Sequence, residues 1–95
     1  MSSETRILFS EGQPYLVHFD NGLIVHTPIE IEDTENLLRI IKGERVREGT
    51  INIKREDYGE KGEFFLQIAI QGENTNIEIG ISHRNTLKLL IDLER

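Results

Sequence analysis

The sequence predicts an α+β fold: antiparallel sheet from two consecutive βββα units, with the two helices packed on the sheet. Three observations predict it. Fourteen Ile and ten Leu stand against a single Ala, Ala69, and no Trp. Branched Ile suits a pleated surface, and scarce Ala argues against a helical bundle. Short apolar/polar alternations separated by Gly-containing turns recur along the chain. The order of three such runs and one helical pattern occurs twice, with Ile29, Thr34, Leu37 and Leu38 answered by Ile81, Thr86, Leu89 and Leu90 at one constant offset. Duplication and convergence of two ordinary α+β units explain that match equally well.

The elements follow in order. Residues 1–4 read as a frayed end, and residues 6–10 as a strand closed by the loop Glu11-Gly12-Gln13-Pro14. Residues 15–19 and 23–27 flank Asp20-Asn21-Gly22, a hairpin signal. A three-residue loop with Gly22 left-handed sets Phe19 opposite Leu23, Val17 opposite Val25 and Tyr15 opposite Thr27, giving one apolar face. A two-residue Asn21-Gly22 turn would pair Val17 with His26 and mix the faces, so the three-residue loop is expected. Asp33 or Thr34 then caps a helix whose apolar face is Leu37, Leu38, Ile40 and Ile41, and Gly43 stops it.

The second unit repeats the plan. Residues 50–55 alternate around Ile51 and Ile53, and 58–62 turn the chain. Residues 64–71 place Phe64, Leu66, Ile68 and Ile70 on one face and Phe65, Gln67, Ala69 and Gln71 on the other. Residues 72–74 turn again, and 76–82 alternate Ile77, Ile79 and Ile81 with polar neighbours. A helix runs from about Asn85 to the C-terminus through Leu87, Leu89, Leu90, Ile91 and Leu93. The units thus span about 5–43 and 50–95, joined by 44–49, a joint too short for a flexible linker. At 95 residues, one fused domain over 1–95 is expected.

Composition limits the chemistry. The chain has no Cys, which excludes disulfides and thiolate metal clusters, and no apolar run long enough for a membrane span or signal peptide. A cytoplasmic protein without membrane contact is expected. The net charge of −6 disfavours a non-specific polyanion binder. The hairpin register brings His18 and His26 diagonally together, with Glu30 or Asp20 in reach of a shared metal, but no compact ligand spacing accompanies them. Ser82 and His83, as neighbours, do not form an activated pair, and the carboxylate pairs lie in solvated stretches. No phosphate-cradling Gly motif is present. Neither catalytic, cofactor-binding nor metal-ligating residues are assigned, and no enzyme activity or cofactor is expected.

Binding is the remaining class. A cationic run leads from Arg39 and Lys42 through Arg45 and Arg47 to Lys54 and Arg55, interrupted by Glu44 and Glu48. The outward face of the second sheet carries Asn52, Lys54, Phe65, Gln67, Gln71, Asn76 and Ser82, polar with one aromatic. Such a face suits base stacking with amide hydrogen bonds around it. The binding residues assigned are Arg45, Arg47, Lys54, Arg55, Phe65 and Gln67. Salt-bridging of the arginines at a helix end and joint is the competing reading.

Residues 50–93, with the step Gly80-Ile81-Ser82 leading from a strand into a helix that carries Leu87 and Leu90, resemble the PC4/Whirly superfamily of single-stranded nucleic-acid-binding proteins. The resemblance implies strands running into a helix, pairing of two copies, and binding through a basic, aromatic-bearing sheet face. Lys54, Phe65 and Gln67 would be the counterparts here. The chain departs from that pattern in its net acidity, in Glu78 on the same face, and in having no basic N-terminal arm.

Two functions are expected on these grounds. The first is a small acidic protein-binding or regulatory module whose surface of Glu30, Glu32, Asp33 and Glu35, with Glu56, Asp57, Glu60 and Glu63, steers towards basic partners. The alternative is single-stranded nucleic-acid binding on the open face of the second sheet. Exposed edge strands make a homodimer an expectation of either. A continuous positive groove of Arg45, Arg47, Lys54 and Arg55 beside Phe65 would favour the alternative. Scattered pairing of those residues with Glu44, Glu48 and Glu56 would favour the first.

Overall fold

The computed structural model describes residues 3–47, 49–71, 74 and 76–94. Met1 and Ser2 of the expected frayed end, Glu48 of the joint, Gly72 and Glu73 of the expected turn, and Arg95 lie outside the described residues. Two antiparallel meanders of three strands form, each followed by a helix. The first unit is β1 (Glu4–Ser10), β2 (Gln13–Asp20), β3 (Leu23–Pro28) and α1 (Ile31–Ile41). The second is β4 (Asn52–Tyr58), β5 (Glu63–Gln71), β6 (Asn76–Ile81) and α2 (His83–Leu93).

The hairpin register differs from the sequence expectation. Asp20 pairs with Leu23, so the loop is the two residues Asn21 and Gly22, at φ 49° and 83°. Asn-Gly is the preferred pair for a turn that needs both central residues left-handed. Val17 consequently faces His26, and His18 faces Val25. The mixed faces are tolerated because β2 is buried on both sides: Leu16, Val17 and His18 are consecutive and all buried. Turn chemistry therefore overrode the apolar pattern. The polar intruder His18 is satisfied by Thr5 Oγ1, 2.8 Å from its Nδ1.

Both helices start earlier than their apolar faces suggest. Glu30 is the N-cap of α1, and Asp33 sits in its first turn, where Oδ2 accepts the Glu30 N–H at 2.9 Å. Ser82 caps α2, its hydroxyl accepting from the Asn85 N–H at 3.3 Å. Gly43, at φ 81°, closes α1 as expected, with Glu44 N–H bonded to Arg39 O at 2.8 Å.

One core unites the units. Leu16, Leu37, Leu66 and Leu89, one from each sheet and each helix, have no exposed surface and belong to a single apolar cluster. Each contributes about 1.5–3 kcal/mol by burial. The helices also cross-link the units reciprocally. Asp33 of α1 accepts from the N–H groups of Thr50 (2.9 Å) and Ile51 (3.2 Å) and from the Thr50 hydroxyl, fixing the chain just before β4. Asn85, at the matching position of α2, donates to Ser3 O at 2.9 Å, just before β1. Asp92 then accepts the Ile7 N–H at 3.1 Å on the outer edge of β1. Each helix thus anchors the first strand of the other unit. The joint is held in the same way: Asn36 accepts from the Arg47 N–H and donates to the Arg47 carbonyl, both at 2.8 Å.

Candidate functional site on the open sheet faces

Strand alternation sends Ile53, Leu66, Ile68, Ile79 and Ile81 inward and leaves the other face of the second sheet uncovered. Three rows cross it: Asn52–Ala69–Glu78, Lys54–Gln67–Gly80, and Glu56–Phe65. Ala69 and Gly80 are the small members, and they floor a trough of about 380 Å³ rimmed by Asn52, Lys54, Gln67 and Glu78. Phe65 is half-buried, and its ring lies 6.0 Å from that of Tyr58 at an interplanar angle of 39°. This tilted aromatic pair ends the face on the side of the β4–β5 turn.

Of the six residues singled out in sequence, Lys54, Phe65 and Gln67 share this face. Arg47 is exposed at its margin, lining a neighbouring depression that has Asn52 and Ala69 in common with the trough. Arg55 is elsewhere, because it follows Lys54 on a strand and points to the opposite side. Its Nη1 donates to the carbonyls of Ile40 (2.8 Å) and Ile41 (3.1 Å), closing the C-terminus of α1. The rest of the guanidinium binds Asp57 and lies 3.8 Å over the Phe64 ring. Arg45 is exposed beside the same helix end. The cationic run is therefore divided between two places, and the continuous groove does not form. Among the described residues, the ion pairs are Arg6 with Glu4 and Asp92, Glu35–Arg39, Lys42–Glu94 and Arg55–Asp57, so Arg45, Arg47 and Lys54 are unpaired. Sequence reasoning placed Ala69 and Gly80 correctly on their strands but missed the trough. The signal was two small residues falling in adjacent rows of one face.

The first sheet has an open face of another kind. Its rows are Leu8–Tyr15–Pro28, Arg6–Val17–His26 and Glu4–Phe19–Ile24. Val17 is 5% exposed beneath its neighbours, whereas Leu8, Phe19 and Ile24 are 44%, 41% and 63% exposed. Tyr15 and His26 stack, centroids 5.0 Å apart. The two charges lie along β1, and Arg6 is neutralised by two hydrogen bonds to Asp92, at 2.7 and 2.9 Å. That carboxylate pushes the Arg6 pKa further above its ordinary value. The sequence did not reveal this patch, because the three-residue loop would have turned His26 and Ile24 to the wrong neighbours.

The histidines do not assemble. His18 faces the core and His26 the open side, so the diagonal pair of the expected register is absent. His83 Nδ1 accepts the Phe64 N–H at 3.3 Å, and its ring meets Phe64 edge-on at 5.0 Å. Among the described residues no three His, Asp or Glu side chains group around a metal position. The expected acidic surface is also reduced: Asp33 is fully buried and Asp57 is paired. Among the described residues no helix is long and apolar enough to cross a membrane. No protein-family model matches the chain, no curated protein is significantly similar to it, and no solved structure matches it.

Proposed function

We propose that the protein is a small non-enzymatic binding module that engages another protein through the open face of its first sheet. The supporting observation is the exposure of Leu8, Phe19 and Ile24 around Val17, on a face whose one cation is already neutralised. Exposed apolar side chains gathered on one sheet face are a feature of interaction surfaces. Three strands about 4.8 Å apart offer a face of only a few hundred Å², so contact through it alone is weak and reversible. Two copies at a net charge of −6 repel each other at long range, so self-association through this apolar face should strengthen with added salt. A second copy is the partner tested first. Sedimentation from micromolar to millimolar concentration should show reversible dimers for the native chain and monomers for Ile24→Glu. A monomer throughout for both would remove the second copy and the main support for this reading.

A second reading, single-stranded nucleic-acid binding on the second sheet, is favoured by one observation: Lys54, Gln67 and Phe65 lie on one uncovered face beside the trough. The likeness of Gly80-Ile81-Ser82 to the PC4/Whirly junction supports it, with Gly80 on that face, Ile81 in the core and Ser82 capping α2. Anisotropy of a labelled single strand should rise with protein, weaken with salt, and be lost in Lys54→Ala and Phe65→Ala. No binding at low salt would sink it.

A further inference from the structure

The trough over Ala69 and Gly80 has a narrower chemistry than strand binding in general. Ala69 is central: Asn52 and Glu78 stand beside it on the neighbouring strands, and Gln67 and Gln71 precede and follow it on the same face of β5. Strands about 4.8 Å apart put the flanking backbones roughly 10 Å from each other, and alternate residues of a strand are about 6.8 Å apart. A methyl floor framed on these sides accepts a planar heterocycle lying flat, and a larger residue at position 69 would fill it. The rim then reads the edges of that ring. Glu78 is exposed, has no ion-pair partner among the described residues, and accepts only. Lys54 donates only, and Asn52 both donates and accepts.

That array discriminates between bases. A carboxylate gains two charge-assisted hydrogen bonds where two N–H groups stand side by side. Guanine offers this with N1–H and the N2 amino group. Adenine and cytosine offer one amino group next to a ring acceptor, which a carboxylate repels, and thymine sets its one N–H between two carbonyls. The opposite side of guanine presents N7 and O6, both acceptors. Asn52 and Lys54 stand across the floor from Glu78, where those acceptors would fall.

The geometry points to a guanine-selective subsite: a guanine lies on Ala69, donates to Glu78, and accepts from Asn52 and Lys54. This rests on the nucleic-acid reading above. The source is an unpaired strand rather than a free nucleotide, because Phe65 and Tyr58 offer a stacking platform about 13 Å further along β5 that a single nucleotide leaves unused. Glu78, a departure from a basic binding face, becomes the selecting group.

The test titrates the protein with labelled all-thymine strands, with the same strand carrying one central guanine or one central adenine, and with guanosine monophosphate. The guanine strand should bind roughly tenfold tighter than the other two. Glu78→Gln and Ala69→Leu should each erase that preference, read as the ratio of guanine-strand to all-thymine affinity, so that any change common to all strands cancels. Phe65→Ala should weaken all strands alike. Amide resonances of Ala69 and Gly80 should move further with the guanine strand than with the other two, and circular dichroism checks that the variants fold. Equal affinity for the three strands, or a preference that survives Glu78→Gln, overturns the subsite and leaves strand binding standing. Binding of no strand overturns strand binding and the subsite together. Guanosine monophosphate binding as tightly as the guanine strand overturns the choice of source.

Discussion

On the central strand of the first sheet the outward residues are Tyr15, Val17 and Phe19; on that of the second they are Phe65, Gln67 and Ala69. Inward, the two units are alike. Leu37 and Leu89 are both fully buried, and the hydroxyls of Thr34 and Thr86 both donate to the carbonyl three residues back, at 2.6 Å. Asp33 and Asn85 both tie down the start of the other unit. The difference teaches where the constraint lies. Inner faces must close one core together, so matched positions do matched work. Outer faces carry fewer such ties, Arg6 to Asp92 being one, and there one sheet presents apolar groups and the other a polar trough.

The reciprocal anchors give the largest expected effect. Asp33 is buried, and its carboxylate serves three backbone N–H groups and one hydroxyl; Asn85 makes its cross-unit bonds to Ser3 alone. Removing a buried acceptor leaves each former donor unsatisfied at about 1–3 kcal/mol. Only the Ile51 N–H bond is buried and water reaches the other three donors in part, so Asp33→Ala should cost about 3–4 kcal/mol, and Asn85→Ala about 1 kcal/mol, by urea denaturation. Equal losses would mean the two anchors carry the same load despite their different bonding. Gly49→Ala should act through the same anchor, since a Cβ there would lie 2.7 Å from Asp33 Oδ1. A loss of about 2 kcal/mol, not additive with Asp33→Ala, is expected.

How far these features were legible follows from the same contrast. Both faces of the central strand of the second sheet were read correctly, because that sheet is buried on one side only and Leu66, Ile68 and Ile70 alternate cleanly with Gln67 and Ala69. Ser82, expected on the outward face, caps α2 instead, and Tyr58, expected in the turn, ends β4. The first sheet was misread because Leu16, Val17 and His18 are all buried, and the apolar pattern then specifies no register. Two left-handed φ angles at Asn21-Gly22 decide it instead. Asp33 or Thr34 was expected as the N-cap of α1, whereas Glu30 takes that place and Asp33 bonds back to it from the first turn. The bonds of Asp33 to Thr50 and Ile51 depend on how the units meet, which no local pattern encodes. The splitting of Lys54 from Arg55 was legible from strand alternation, and treating the cations as one run obscured it.

That split supplies an intermediate effect. Arg55→Ala removes the bonds to the Ile40 and Ile41 carbonyls and the contact over Phe64, and should cost about 1–2 kcal/mol. It should leave any strand binding unchanged. Lys54→Ala should do the reverse, with stability held within about 0.5 kcal/mol and strand binding weakened. Weakened binding in Arg55→Ala at intact stability would restore the single cationic groove and erase the distinction between the faces of β4.

The smallest effect on stability, and the most direct reading of the outer faces, comes from one substitution on each. Ile24 is 63% exposed, and Gln67 is exposed on its own sheet. Ile24→Glu and Gln67→Ala should both lie within about 0.5 kcal/mol of the native chain, because neither removes a core contact or a buried hydrogen bond. Their other consequences should diverge, since Ile24→Glu places a carboxylate in the apolar patch and Gln67→Ala only widens the trough. Self-association should fall in the first and hold in the second. If both proteins associate alike, the apolar rows around Val17 are ordinary surface, and the contrast between the two sheets is one of composition without consequence for binding.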